Sequence, residues 1–342
     1  METSIFDFSL PSDLIAQFPT KKREKSRLLF YDRFSNKIEH KKFFEITKIF
    51  GKNDVLVFNR SKVIPARIKF SNNNEVFLAE KISEKIWKCL VRPGKKFLIG
   101  QKIIFSDHSF AEVLEILPDG MRKIAFFPQD NMKKFLEKYG QVPLPPYISR
   151  KPKKVDQKRY QNIFADSPGS VAAPTAGLHF SKKIFTELEK NGVQFEFIDL
   201  QVGPGTFLPV KTDKIEDHKM HTENFEISNQ TVKNLNLAKK NNKKITAIGS
   251  TSLRVLETNN KNGFFLPQSG KTDIFIFPPA KFRAVDHFLT NFHLPKSTLL
   301  MLVAAFISPE RKIGIKKILE IYNLAINKKY RFFSFGDATL LW

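Results

Sequence analysis

Residues 181–205, SKKIFTELEKNGVQFEFIDLQVGPG, decide the fold class. Ser181 stands where a helix start needs a side-chain oxygen, helical spacing runs on to Lys190, and Asn191-Gly192 ends it. Residues 193–202 follow at once as a strand. It runs into Gly203-Pro204-Gly205, where a backbone without Cβ atoms turns tightly and approaches a ligand closely. Helix, strand and turn in that order are the unit of an α/β layer architecture, and the unit recurs downstream. Ser228 opens a helix to about 241, a strand covers 245–248, and Gly249-Ser250-Thr251-Ser252 makes a hydroxyl-rich turn before a helix over 253–258. That turn has two readings: it offers backbone N–H groups to a carboxylate or phosphate above the sheet edge, or it is ordinary capping. Beyond it come a strand over 272–277, a polar loop over 290–298 that feeds an apolar helix to 307, and a helix over 313–327.

Working back toward the start, residues 28–31 and 54–59 read as strands, the second fully buried. Between 66 and 148 the texture changes. Six short β-rich runs (67–70, 75–79, 87–91, 102–105, 111–117 and 123–127) are separated by turn signals such as Ser71-Asn72-Asn73-Asn74, Arg92-Pro93-Gly94 and Pro118-Asp119-Gly120. Short strands at such spacing suggest a small antiparallel barrel. A helix over 131–138 follows, and Pro143-Leu144-Pro145-Pro146-Tyr147 is a stiff connector out of this region. The expected architecture is α/β: a large discontinuous α/β domain over 1–65 and 149–342, with an inserted small antiparallel β-barrel domain over 66–148.

The 342 residues suffice for two domains, and 42 % hydrophobic content with 35 phenylalanines excludes a disordered chain. The longest apolar run, 298–307, is about half of a membrane span, so a cytoplasmic protein is expected. One cysteine, Cys89, excludes an internal disulfide and a cysteine-rich zinc site. A net charge of +23 is what a polyphosphate partner selects, although block drift toward Lys, Asn, Ile and Phe also supplies charge that only keeps the surface soluble. Lys21, Lys22, Arg23, Lys25 and Arg27 form a basic run that either touches a phosphate backbone or is a solvated loop.

The chemistry concentrates after the glycine turn. Glu216, Asp217, His218 and His221 set two carboxylates and two imidazoles within six positions, a density that suits proton transfer or ligand gripping, the alternative being a polar loop. Five of the seven histidines (His179, His218, His221, His287 and His293) fall in the α/β half. Two histidines three apart are a weak metal signal, and no metal is expected. Leu208 stands where a dinucleotide fingerprint needs its third glycine, and there is no Walker loop. The aromatic residues of 330–337, beside Arg331 and Asp337, either stack a flat base or pack as core.

Several segments, in order along almost the whole chain, resemble the signatures of the S-adenosylmethionine:tRNA ribosyltransferase-isomerase family. They are GSVAAPTAGLHF at 169–180, VGPGTF at 202–207, EDHKMH at 216–221, 290–301 and 330–337, supported by 56–66, 143–148, 159–161 and 249–257. Departures stand at Arg60-Ser61 (an acid and threonine expected), Pro279-Ala280 (glycine and an aromatic) and Thr339 (methionine).

That resemblance implies an enzyme of queuosine biosynthesis. Its substrate would be tRNA carrying 7-aminomethyl-7-deazaguanine at the wobble position. S-adenosylmethionine would be consumed as ribosyl donor, giving epoxyqueuosine and releasing adenine and methionine, with no recycled cofactor. The sulfonium acidifies the C5′ protons, so the reaction needs a base there, an acid near adenine and a neutral amine. His179, His218 or His221 is the expected base, with Asp217 orienting an imidazole; His293 and Asp337 are candidates for protonating the leaving purine or receiving the amine proton. Gly203, Gly205 and Thr206 are expected at the adenosine, and Thr251, Ser252 and Arg254 at the methionine carboxylate. Lys21, Lys22, Arg23, Arg60, Lys62 and Arg67 are expected to grip the anticodon stem of a tRNA bound by a monomer. A plain RNA-binding protein would release no adenine, and a metal-dependent hydrolase would carry zinc and fail with a chelator.

Overall fold

The computed structural model describes residues 1–70, 74–207 and 210–342, the last two of the middle span by backbone alone. The turn expected at 71–74 therefore lies, Asn74 apart, outside the described residues. Two sheets organise the chain. The larger has nine strands in the order Gln268–Thr272, Glu223–Ile227, Gln194–Leu200, Asp54–Asn59, Lys244–Ile248, His287–Asn291, Ala338–Leu341, Arg27–Tyr31, Ile38–Lys42. From Gln194–Leu200 to His287–Asn291 its strands run parallel.

Every residue of Asp54–Asn59 is buried because both faces of the sheet are covered. Val55 and Val57 point into a core with the helices Asn229–Lys240, Ser250–Asn259, Thr298–Ile307 and Gly314–Asn327, whereas Leu56 and Phe58 point to Phe180, Ile184 and Leu188 on and before the helix Lys182–Lys190. Leu300 to Ile307 are buried without exception, as a helix apolar on all sides must be. Ser181, Ser228 and Ser297 cap their helices through the side-chain oxygen.

The second sheet runs Gly140–Gln141, Arg67–Phe70, Asn74–Lys81, Ile86–Arg92, Arg122–Phe127, Phe110–Ile116, Lys102–Ile104, antiparallel throughout. All six expected runs are strands. The sheet is curled, with bulges at Leu78/Glu80 and Lys123/Ile124 adding twist. Among the described residues its two terminal strands do not pair, so where a small antiparallel barrel was expected the sheet is a half-barrel. Helix Met132–Tyr139 sets Phe135 and Leu136 against Trp87, Phe105 and Phe126 in its core. A short parallel pair, Ser61–Val63 with Ser167–Ser170, lies on the chain's way into and out of this region.

Three expectations change. The helix expected over 253–258 is Ser250–Asn259, because Gly249 at φ +91° turns the backbone directly into it. The strand expected over 272–277 ends at Thr272, where its ladder to Glu223 ends, and 273–277 continues without strand pairing. Ala338–Leu341, unforeseen, closes the gap between His287–Asn291 and Arg27–Tyr31. Among the described residues no helix is long and apolar enough to cross a membrane.

Candidate active site

Two clefts open beyond the carboxyl ends of the parallel strands, the position at which open α/β sheets take their ligands. The first, about 930 Å³, is built from residues after those strands: Val202, Gly249 to Thr251 and Thr290 to Pro295, together with 172–176, Tyr147 and Phe333. The second, about 870 Å³, is lined by Gly205, Lys211, Thr212, His218, Met220, His221, Glu223 and Arg254. Thr298 and Leu299, the first turn of the helix Thr298–Ile307, belong to both, so the clefts adjoin.

The hydroxyl-rich turn resolves in favour of an open helix start. No side chain caps Ser250–Asn259, whose N-cap is Gly249. Thr251 lines the first cleft and its buried Oγ1 has no hydrogen-bond partner among the described residues, whereas Ser252 is turned inward and donates to the Ile248 carbonyl at 3.0 Å. Arg254, one turn on, faces the second cleft instead. The expected joint clamp of Thr251, Ser252 and Arg254 is therefore divided between two clefts and the core. Arg254 is buried; Nη1 donates to Glu223 Oε2, Nε to the Ile274 carbonyl at 3.4 Å, and Nη2 has no partner among the described residues. Glu223 Oε1 accepts from the Gly203 N–H at 3.1 Å, which ties the glycine turn to the arginine.

The five histidines fall into two kinds. His179 is buried on Phe43, with Nδ1 2.7 Å from Ser26 Oγ and Nε2 3.1 Å from Asn291 Nδ2. Asn291 Nδ2 also donates to the Phe333 carbonyl at 3.2 Å, which fixes it as the nitrogen. Nε2 must then accept, Nδ1 carries the proton, and Ser26 Oγ passes its own to the Arg23 carbonyl. Burial, helped by the charges of Arg331 and Arg23, lowers the pKa of His179 to about 3. His293, also buried, lies 2.9 Å from Thr290 Oγ1 through Nε2, and burial again lowers its pKa to about 3. His287 stacks on Trp342 at 3.8 Å within the sheet.

His218 and His221 are unlike these. His218 is half-buried with its ring edge against Phe275, and burial followed by the His221 charge lowers its pKa. His221 is exposed along the glycine turn: a Cβ on Gly205 would stand 2.3 Å from its ring, so glycine is required there. The Gly203 position is open, and the Thr206 side chain lies outside the described residues.

Several expected roles are not met by these positions. Asp217 is exposed and, among the described residues, bonded to neither imidazole; Glu216 is held by the Met1 amino group at 2.7 Å. Asp337 lines neither cleft and gives both oxygens to backbone N–H groups, of Arg27 at 2.8 Å and Arg331 at 2.9 Å, stapling the closing segment to the strand Arg27–Tyr31. Arg23 donates to the carbonyls of Leu178, Lys158 and Gln161, and burial beside Arg159 lowers its pKa to about 10. Arg60 pairs with Asp199 at 2.8 Å and Arg67 with Glu75 at 3.6 Å. Lys21, Lys22 and Lys62 are exposed, without an ion pair among the described residues.

Sequence reasoning passed over Glu223 and Lys211 and gave Tyr147 no role, whereas Phe333 belongs to the aromatic cluster of 330–337 read as a base stack or core. Tyr147 stacks on Phe333 at 4.2 Å and bonds Ser334 Oγ at 2.6 Å, and Phe333 sits at φ +70°, a strained conformation for a bulky residue at a site wall. Tyr147 was legible as the aromatic of a stiff connector; nothing in the sequence marks the backbone of Phe333. Among the described residues no three His, Cys, Asp or Glu side chains gather as a metal site.

Fold and clefts define an α/β protein with two adjoining clefts at the carboxyl edge of its parallel strands. Residues 3–341 match the family described as queuosine biosynthesis protein. The chain is 47 % identical to the S-adenosylmethionine:tRNA ribosyltransferase-isomerase of Thermosipho melanesiensis and 44 % to that of Acetivibrio thermocellus, each comparison covering all of both chains. The crystal structure of S-adenosylmethionine tRNA ribosyltransferase from Thermotoga maritima superposes with a TM-score of 0.56 at 36 % identity, over 99 % of this chain and 100 % of that one. The chain belongs to the S-adenosylmethionine:tRNA ribosyltransferase-isomerase family of queuosine biosynthesis.

Proposed function

We propose that the enzyme transfers the ribosyl moiety of S-adenosylmethionine to the aminomethyl group of 7-aminomethyl-7-deazaguanine at the tRNA wobble position and isomerises it, giving epoxyqueuosine-tRNA, adenine and methionine. The observation that carries this reading is convergence. Segments far apart in sequence that resemble the family's signatures (169–180, 202–207, 216–221, 249–257, 290–301 and 330–337) all contribute lining to the two adjoining clefts. Packing alone does not require that.

In this reading S-adenosylmethionine is a consumed substrate and no recycled cofactor is called for. His218 is the base that takes the C5′ proton: it lines the second cleft, and its lowered pKa keeps it neutral at pH 7. His221, laid against Gly205, is its partner and alternate. Thr290, backed by His293, hydrogen-bonds the leaving purine in the first cleft, where Tyr147 and Phe333 supply an aromatic wall. His179 and Asp337 act as positioning groups, the first through Asn291, whose Oδ1 accepts from Thr175 at the cleft. Residues 1–65 and 149–342 form the catalytic domain, with 66–148 inserted. A monomer in the cytoplasm holds the anticodon stem-loop through exposed lysines, Lys21, Lys22 and Lys62 among them.

The test is incubation of the purified protein with S-adenosylmethionine and tRNA bearing the deazaguanine precursor. Free adenine should appear in step with the mass gain of the modified nucleoside. Bound tRNA without adenine release from folded protein would overturn the reading and leave an RNA-binding protein.

A further inference from the structure

The two clefts share a wall but not a chemistry. No Lys, Arg, Asp or Glu contributes to the lining of the first cleft, whose polar groups are hydroxyls, Asn291 and the neutral His293 among aromatic rings. Among the described residues the second is charged, with Lys211 and Arg254 against the carboxylate of Glu223 and the two histidines beside them. That carboxylate is already committed to Arg254 Nη1 and the Gly203 N–H.

Within the second cleft one atom stands out. A buried guanidinium normally places all its N–H groups, since each one left unpaired forfeits a charge-assisted hydrogen bond. Arg254 is 5 % exposed, and its Nη2 has no partner among the described residues although Nη1 and Nε are engaged. Glu223 on one side and the Ile274 carbonyl on the other fix the plane of the fork, so the direction of Nη2 is set before any ligand arrives. Arg254 lines the cleft, where a cationic donor left unpaired matches one oxygen of an anion, and Lys211 supplies a second positive charge on the same lining.

We infer that the second cleft is an α-amino-acid carboxylate subsite anchored by Arg254 Nη2, separate from the purine in the first cleft. This rests on the function proposed above. The amino-acid end of S-adenosylmethionine enters the second cleft and the adenosine the first. The sulfonium then lies near Thr298 and Leu299, beside the cleft that holds His218. The two small products occupy different compartments, so methionine and adenine bind together and do not compete.

The inference is tested on the wild-type protein by calorimetric titration with L-methionine, with L-methioninol, which lacks the carboxylate, and with adenine. Methionine should bind roughly ten- to a hundredfold more tightly than methioninol, the range of one charge-assisted hydrogen bond. Saturating adenine should leave the methionine affinity within about twofold. Arg254→Gln should abolish the preference for methionine over methioninol and Arg254→Lys restore part of it; comparing the two ligands on one protein separates this from any loss of folded protein. Equal affinity of methionine and methioninol, no methionine binding where adenine binds, or mutual exclusion of methionine and adenine would each overturn the inference. Adenine release with tRNA is measured alongside: an active enzyme with equal affinities overturns the subsite alone, whereas an inactive one that still prefers methionine overturns the reaction and keeps the carboxylate site.

Discussion

His179 and His218 are the same residue 39 positions apart, and their surroundings make them different tools. His179 has both ring nitrogens engaged, by Ser26 and Asn291, in a buried network whose donors and acceptors are all accounted for. Moving a proton on or off it would break a bond at either end, so it holds geometry. His218 meets the ring edge of Phe275 and lines the second cleft, with no hydrogen bond among the described residues to surrender before it accepts a proton. Burial lowers the pKa of both. A perturbed titration therefore does not separate a base from a brace; the hydrogen-bond inventory does.

The contrast is broken or sharpened by substitution and pH. His218→Ala should lower turnover by roughly a hundredfold or more while leaving thermal unfolding within a degree or two; a variant that is folded, binds tRNA and turns over normally would remove His218 as the base and bring His221 forward. His179→Ala should do the reverse in kind, costing about 2–4 kcal/mol of stability through lost hydrogen bonds and a cavity under Phe43. Its activity per folded molecule should fall less than that of the His218 variant. An unfolding midpoint unchanged from wild type would refute the brace.

Acid should separate the two kinds as well. The folded pKa values of His179 and His293, about 3, lie below the ordinary value of 6.5, so the unfolded chain binds more protons between those limits. Stability should be flat above pH 6.5 and fall as pH drops from there toward 3, by up to about 1.4 kcal/mol per pH unit for each histidine. Activity at temperatures where the protein stays folded should instead lose its base in a single step below pH 6.5, set by His218; a step above 6.5 would contradict that assignment. The smallest effect should be Lys62→Ala, a severalfold loss of tRNA affinity with a reduced salt slope. Arg60→Ala should leave the slope unchanged, since Asp199 already neutralises Arg60.

The limits of reading the chain follow from the same physics. Serine caps, buried strands and the six short runs between 67 and 127 were legible because they rest on local periodicity and capping. The start of helix Ser250–Asn259 was missed because its cap is a glycine backbone angle, not a side-chain oxygen. Asp273-Ile274-Phe275-Ile276-Phe277 looked like a strand, yet the ladder that would have held it stops at Thr272. Arg23 and Arg60 looked like tRNA-gripping charges and Asp337 like a proton-transfer group, and each is bonded to backbone groups or a carboxylate inside the protein.

By itself the sequence determined the α/β class, the short antiparallel strands between 67 and 127 and the family, since these depend on pattern and composition over short stretches. Tertiary structure alone decided which histidines are locked and which are free, that Thr251 and Arg254 face different clefts, and that Nη2 of Arg254 stays unpaired among the described residues. Those are properties of partners brought together from distant parts of the chain, and a residue's chemistry is set by what lies within about 3 Å of its polar atoms.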